Sequence, residues 1–77
     1  MAGSAEGISG RKEYIITSIK AENSLKYRFY DLGLYKGAII KRLKSSPLGD
    51  PVSYLIKETV IAIRNVDAEK IEVEPYE

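Results

Sequence analysis

Seven acidic residues crowd the second half of the chain: Asp50, Glu58, Asp67, Glu69, Glu72, Glu74 and Glu77. Carboxylates at this density raise two chemistries, a divalent cation held by oxygen ligands and a proton moved by an acid–base pair. Neither finds its pattern. A calcium or magnesium site needs several oxygens converging, and no loop here has a suitable array. In KIEVEPYE the acids alternate with Ile71 and Val73. Glu72 and Glu74 therefore read as the outer face of a strand, where acids are simply solvated. There is no histidine and no cysteine. Their absence removes the commonest general base, the commonest transition-metal ligand, thiolate metal sites and disulfides. No Ser/His/Asp or Cys/His set can be assembled, and the glycines are isolated rather than gathered into a phosphate loop. The expectation is a protein that is not an enzyme, with no metal ligands and no cofactor.

Recognition chemistry has better candidates. Residues 27–37 read YRFYDLGLYKG, three tyrosines and a phenylalanine in a chain with six tyrosines, one phenylalanine and no tryptophan. Tyr27, Tyr30, Tyr35 and Tyr54 could form an aromatic surface for a peptide. Each could equally lay its ring on the rim of the domain with its hydroxyl in water. Leu34 and Tyr35 are expected in a protruding turn, so Tyr30, Leu34, Tyr35 and Tyr54 are the candidate partner-binding residues. A basic run, KRLK at 41–44, could touch phosphates. Alternation sends Lys41 and Leu43 to one face, Arg42 and Lys44 to the other, and an edge strand whose lysines discourage edge-to-edge pairing is the preferred reading. With 12 basic and 11 acidic residues the net charge is +1. Nucleic-acid binding usually needs a clustered basic face, so it is not expected here.

The elements that must position these residues are short. A chain of 77 residues makes one domain, and at this size only about 60% of the unfolded surface is buried, so the core is thin. No apolar run reaches the roughly 20 residues of a membrane helix. The opening MAGSAEGISG has no apolar core of a secretory signal. Residues 1–9 read as a disordered leader, residues 10–75 as one domain, and the location as cytoplasmic, with membrane contact only through a partner. YIITSIK at 14–20 is rich in β-branched residues and reads as a strand. Ser24, with Asn23 as rival, can cap a short helix in which Leu25, Phe29 and Leu32 share one face. Gly33 stands where a left-handed helix terminus falls, and Leu34 just beyond it can fold back onto the helix. Tyr35 to Gly37 reads as a turn, 38–45 as a strand, and PLGDP at 47–51 as a loop. Strands follow at 52–57 and 60–64, with Glu58 and Thr59 between them. Glu-Thr is a poor type I′ pair, so a longer loop is equally open. NVDA at 65–68 reads as one helical turn that Asn65 could cap, and 70–74 as the last strand.

Strand, short helix and four more strands make a mainly β fold. Five short strands cannot bury a core as a flat sheet with both faces wet, so a bent sheet closing into a small SH3-like five-stranded barrel is expected. One helix follows the first strand and a helical turn precedes the last. A five-stranded OB-type barrel is the near alternative, but its helix usually follows the third strand.

On these residues the chain resembles the FeoA family. RFYDLGLYKGAII at 28–40 is similar to the family signature, an arginine and an apolar residue before D-L-G-L, two residues and a glycine. SPLGDP at 46–51 resembles its Pro-x-Gly-Asp-Pro loop. IAIRNVDAEKIEV at 61–73 resembles a strand ending in arginine, an acidic-Ala pair and a final I-x-V strand. The matching residues are Arg28, Phe29, Asp31, Leu32, Gly33, Gly37, Gly49, Asp50, Arg64 and Ala68, all read as structural, with Phe29 and Leu32 in the core. Two positions depart from the pattern: Glu58 where many members carry glycine, and Phe29 where leucine is common. The resemblance implies an SH3-like barrel, a type also found at the C-terminus of DtxR-type metal-dependent repressors. It implies a small cytosolic regulatory component of ferrous iron uptake, acting by protein contact on the cytosolic part of the FeoB transporter, whose N-terminal part binds GTP. Transition-metal binding is implied only at the level of the family. Two other readings stand beside it, a small nucleic-acid-binding barrel and a self-associating module that forms a homo-oligomer.

Overall fold

β-Branched and alternating segments become strands, and the structure, a computed structural model, describes residues 3–5 and 12–76. In chain order the elements are β1 (Gly3–Ser4), β2 (Glu13–Ile19), α1 (Asn23–Asp31), β3 (Ile39–Ser45), β4 (Val52–Ile56), β5 (Thr59–Ile63), α2 (Asn65–Ala68) and β6 (Ile71–Pro75). All strand pairs are antiparallel, in the order β1-β6-β2-β3-β4-β5. The mainly β, SH3-like architecture is as expected, with a helix after the first long strand and a helical turn before the last.

Alternation builds the core. Val52, Tyr54 and Ile56 of β4 point inward, as do Ile71 and Val73 of β6. They meet Ile16 of β2, Ile40 of β3 and Ile63 of β5. Closure shows in one bond. The Tyr54 hydroxyl donates to the Ala5 carbonyl at 3.2 Å. In a flat sheet, four strand spacings would hold β4 and β1 roughly 19 Å apart. The sheet therefore curls until β4 comes within a side chain's reach of the residue that follows β1.

Several details differ from the sequence reading. Among the described residues six strands, not five, form the sheet, because Gly3–Ser4 pairs with β6 at Val73 and Glu72. Residues 3–5 were expected in a disordered leader, yet Ala5 is buried in the core; the leader's other residues lie outside the described ones. KRLK does not form an edge. β3 lies between β2 and β4, and its register with β4 shifts between Arg42 and Lys44. That bulge breaks the alternation and sets Lys41, Leu43 and Lys44 along one shallow groove beside Ser53 and Val60. Neither Ser24 nor Asn23 caps α1; Glu22 is the N-cap, without a side-chain bond. The hairpin loop is Lys57–Glu58, with Thr59 already in β5 opposite Ile56. The position with positive φ is Lys57, at 58°, one residue before the expected glycine substitution at Glu58.

Leu32 is not a core residue. α1 ends at Asp31, so Leu32 is the C-cap and remains 47% exposed. The chain then reverses in a Schellman turn. Gly33 N–H donates to the Tyr30 carbonyl at 3.0 Å and Leu34 N–H to the Phe29 carbonyl at 2.8 Å. Gly33, at φ 91°, makes the left-handed step, and Leu34 takes the inward place that helical spacing assigned to Leu32.

α2 receives its cap from elsewhere in the chain. Arg64 precedes it without a side-chain cap bond. The Asn65 N–H instead donates to Asp50 Oδ1 at 2.9 Å, and Asn65 Nδ2 donates to the Gly49 carbonyl at 3.0 Å. The PLGDP loop is thereby tied to the helical turn.

Candidate functional site

The end of α1 and the turn after it set two tyrosines side by side. Tyr30 leaves the last turn of the helix on its outer face and is 63% exposed. Tyr35 is fixed by a type II turn: Ala38 N–H donates to the Tyr35 carbonyl at 3.0 Å, with Gly37 at φ 96° in the position that needs it. Gly37 N–H donates to the Ile16 carbonyl at 2.7 Å and Ile16 N–H to the Ala38 carbonyl at 2.9 Å, which fastens the turn to β2. The two rings stack with centroids 5.5 Å apart and an interplanar angle of 24°. Lys57 Nζ lies 5.7 Å from the Tyr35 ring centroid, within cation–π reach.

These rings form part of a groove of about 350 Å³ between α1 and β2. Thr17, Ser18 and Ile19 line one side, Lys26 and Tyr30 the other, and Tyr35 and Lys36 the rest. A bulge in β2 between Ile16 and Ser18 aims this wall, and Thr17 Oγ1 donates to the Glu72 carbonyl at 3.3 Å. Tyr35 also lines a second hollow of about 340 Å³ with Lys41, Lys57 and Glu13. The first groove therefore offers two aromatic faces, two ammonium groups and four hydroxyls, with no carboxylate among its described lining residues. Such a surface suits an extended segment that carries acidic and apolar groups. Among the described residues no three acidic side chains gather as a metal ion would require, and no helix is long and apolar enough to cross a membrane.

Of the four candidate contact residues, the structure brings Tyr30 and Tyr35 together and withdraws the other two. Leu34 is 0% exposed, because the Schellman turn folds it onto Phe29 instead of leaving it in a protruding loop. Tyr54 is also 0% exposed; it follows the inward alternation of β4. Both placements had a signal. Leu34 occupies the position after a left-handed glycine where a hydrophobic contact is usual, and Tyr54 lies two residues from both Val52 and Ile56. The groove's lysines were overlooked, although Lys26 and Tyr30 are four apart on one helix face. Lys57 reaches Tyr35 across the fold, which local spacing cannot show. Among the structural residues, Phe29 and Ala68 are buried. Arg28 and Asp31 are both exposed, and Arg28 lies with Arg64 and Asp67 along a hollow of about 180 Å³.

Comparison with known proteins places this fold. Residues 8–75 match the FeoA domain family. A curated relative from Porphyromonas gingivalis, a fusion of Fe(2+) transport protein A with the Fe(2+) transporter FeoB, is 33% identical over 60 residues, 78% of this chain. The chain spans about 7% of that relative's length. The solution structure of FeoA protein from Chlorobium tepidum is 32% identical, with a TM-score of 0.86 over 94% of this chain and 69% of that one. The apo form of the manganese-activated repressor ScaR has a TM-score of 0.84 at 20% identity, over 96% of this chain and 35% of the repressor, a likeness of fold alone.

Proposed function

This chain belongs to the FeoA domain family, and on that premise we propose that it serves ferrous iron transport as a non-enzymatic accessory, docking on the cytosolic part of a FeoB-type transporter through the Tyr30–Tyr35 groove. The observation that carries this reading is the relative in which the two transport components form one polypeptide. Linking two modules turns their encounter into an intramolecular event, which favours pairs that already bind. Iron is the transporter's cargo, and the residues of this chain bind protein.

The groove supplies the means. Its stacked tyrosines give flat contact area at low entropic cost, as they do in other recognition surfaces. Lys26 and Lys36 select for acidic neighbours. An accessory that binds one conformation of a transporter better than another shifts the population toward it, by no more than the difference in affinity. A titration of the transporter's cytosolic part with wild-type protein, with and without guanine nucleotide, tests the reading. Saturable binding that Tyr30→Ala and Tyr35→Ala weaken, and that Tyr27→Ala leaves unchanged, is the expected result. No binding by the wild type in any nucleotide state would refute it.

A further inference from the structure

β5 is an edge of the sheet. Among the described residues it pairs with β4 alone. The register sets Ile56 opposite Thr59, Tyr54 opposite Ile61 and Val52 opposite Ile63, across the Lys57–Glu58 loop. In a two-residue hairpin the residues flanking the loop exchange backbone hydrogen bonds, and every second pair does the same. Thr59, Ile61 and Ile63 thus direct their N–H and C=O groups to β4. Val60 and Ala62 turn theirs to the open edge, and both residues are exposed.

Natural sheet edges usually carry a charge, a proline or a bulge that discourages further pairing. β5 reads TVIAI, with none of the first two, and its register with β4 is unbroken. The charges come just outside it, Glu58 before and Arg64 after. We propose that β5 pairs antiparallel with β5 of a second copy about a two-fold axis at Ile61. Val60 then faces Ala62 of the second copy, and Ala62 faces its Val60. These two pairs can make four backbone hydrogen bonds. An axis at Val60 or at Ala62 would set one of the outward residues opposite a residue beyond the strand. The axis at Ile61 also sets Glu58 of each copy opposite Arg64 of the other. One five-residue edge therefore carries complementary backbone groups, apolar residues between them and opposite charges at its two ends. The contact is isologous and closes at two copies. A single short strand pair buries less than a standard interface, so the association is weak and concentration-dependent. This edge shares no residue with the groove between α1 and β2, and the inference does not depend on the transporter.

Sedimentation equilibrium from micromolar to millimolar concentration tests it. The average mass of the wild type is expected to rise from 8.6 kDa toward twice that value. Glu58→Arg and Arg64→Glu, each alone, bring like charges together and should weaken the dimer at least several-fold, and the double variant should restore it. Val60→Pro removes an N–H that β4 does not use and should leave a monomer; if that variant fails to fold, the charge-reversal set decides. In a mixture of labelled and unlabelled chains, a half-filtered nuclear Overhauser contact between the Ile61 Hα protons of the two copies is expected. A protein that stays monomeric throughout overturns the proposal. So does a dimer that lacks this contact and is indifferent to both single charge reversals, the result expected if another surface associates.

Discussion

The Tyr54 hydroxyl and the Ala5 carbonyl lie 3.2 Å apart, both residues fully buried. β4 and β1 are held together by this bond across a sheet in which three other strands separate them. Tyr54→Phe keeps the ring in the core and leaves the carbonyl without that donor. The expected loss is about 1 kcal/mol, which at this domain size lowers Tm by roughly 4–8 °C. Amide exchange should separate this from general loosening, with faster exchange at Gly3–Ser4 and near-native protection at β3 and β4. Uniform loss of protection would show that the bond does not anchor β1 in particular.

Gly33 governs where the helix hands over to the core. Its φ of 91° is one that side chains rarely adopt, and an added Cβ would stand 3.4 Å from Ile56 Cγ2. Gly33→Ala should cost about 1 kcal/mol or more, and Gly33→Asn less, since asparagine tolerates the left-handed region. Thermal unfolding of the pair checks the order. Equal stability of Gly33→Ala and wild type would mean that the turn has another low-energy form.

Asp50 stabilises a helical turn that lies 15 residues further along the chain. Asp50→Ala removes the acceptor for the Asn65 N–H, with an expected cost of about 1 kcal/mol, the usual worth of a helix cap. Asp50→Asn keeps an acceptor oxygen and should retain most of the stability. Denaturant unfolding measures both; a larger loss for Asn than for Ala would contradict the capping role.

Much of this was legible along the chain because it is local. Alternation in VSYLI and KIEVE gives the inward faces of β4 and β6, and the glycine after an apolar helix gives the Schellman turn. What alternation could not give is where it breaks. The bulges between Ile16 and Ser18 and between Arg42 and Lys44 shift faces mid-strand, and no residue type at those positions demands one. Contacts across the fold were equally hidden. Asn65 reads as the cap of its own helical turn, yet Asp50 supplies the cap; Gly3–Ser4 reads as a loose leader, yet β6 offers it a partner. Leu34 and Tyr54 are buried for a local reason: the Schellman turn folds one inward and the alternation of β4 carries the other, so side-chain type alone does not decide their exposure.

Leu34 and Tyr35 are neighbours in sequence with opposite fates, and that contrast gives the sharpest separation of folding from binding. Leu34 is sealed against Phe29 in the core, whereas Tyr35 stacks on exposed Tyr30. Leu34→Asp buries an unpaired carboxylate, and in a domain this small that should abolish the cooperative fold, since such charges cost several kcal/mol against a marginal total. Leu34→Ala should cost about 2–5 kcal/mol through the cavity it leaves. Tyr35→Ala removes a half-buried ring at the rim and should cost less than Leu34→Ala, leaving the dispersed amide spectrum of a folded domain. Its effect should appear in binding to the transporter's cytosolic part, where loss of a central aromatic contact weakens affinity by about tenfold or more. Paired measurements of unfolding and binding decide the matter. If Tyr35→Ala unfolds the domain as readily as Leu34→Ala, the stacked pair is part of the core and the groove loses its claim as a docking surface. If it folds and binds as wild type does, the partner docks elsewhere.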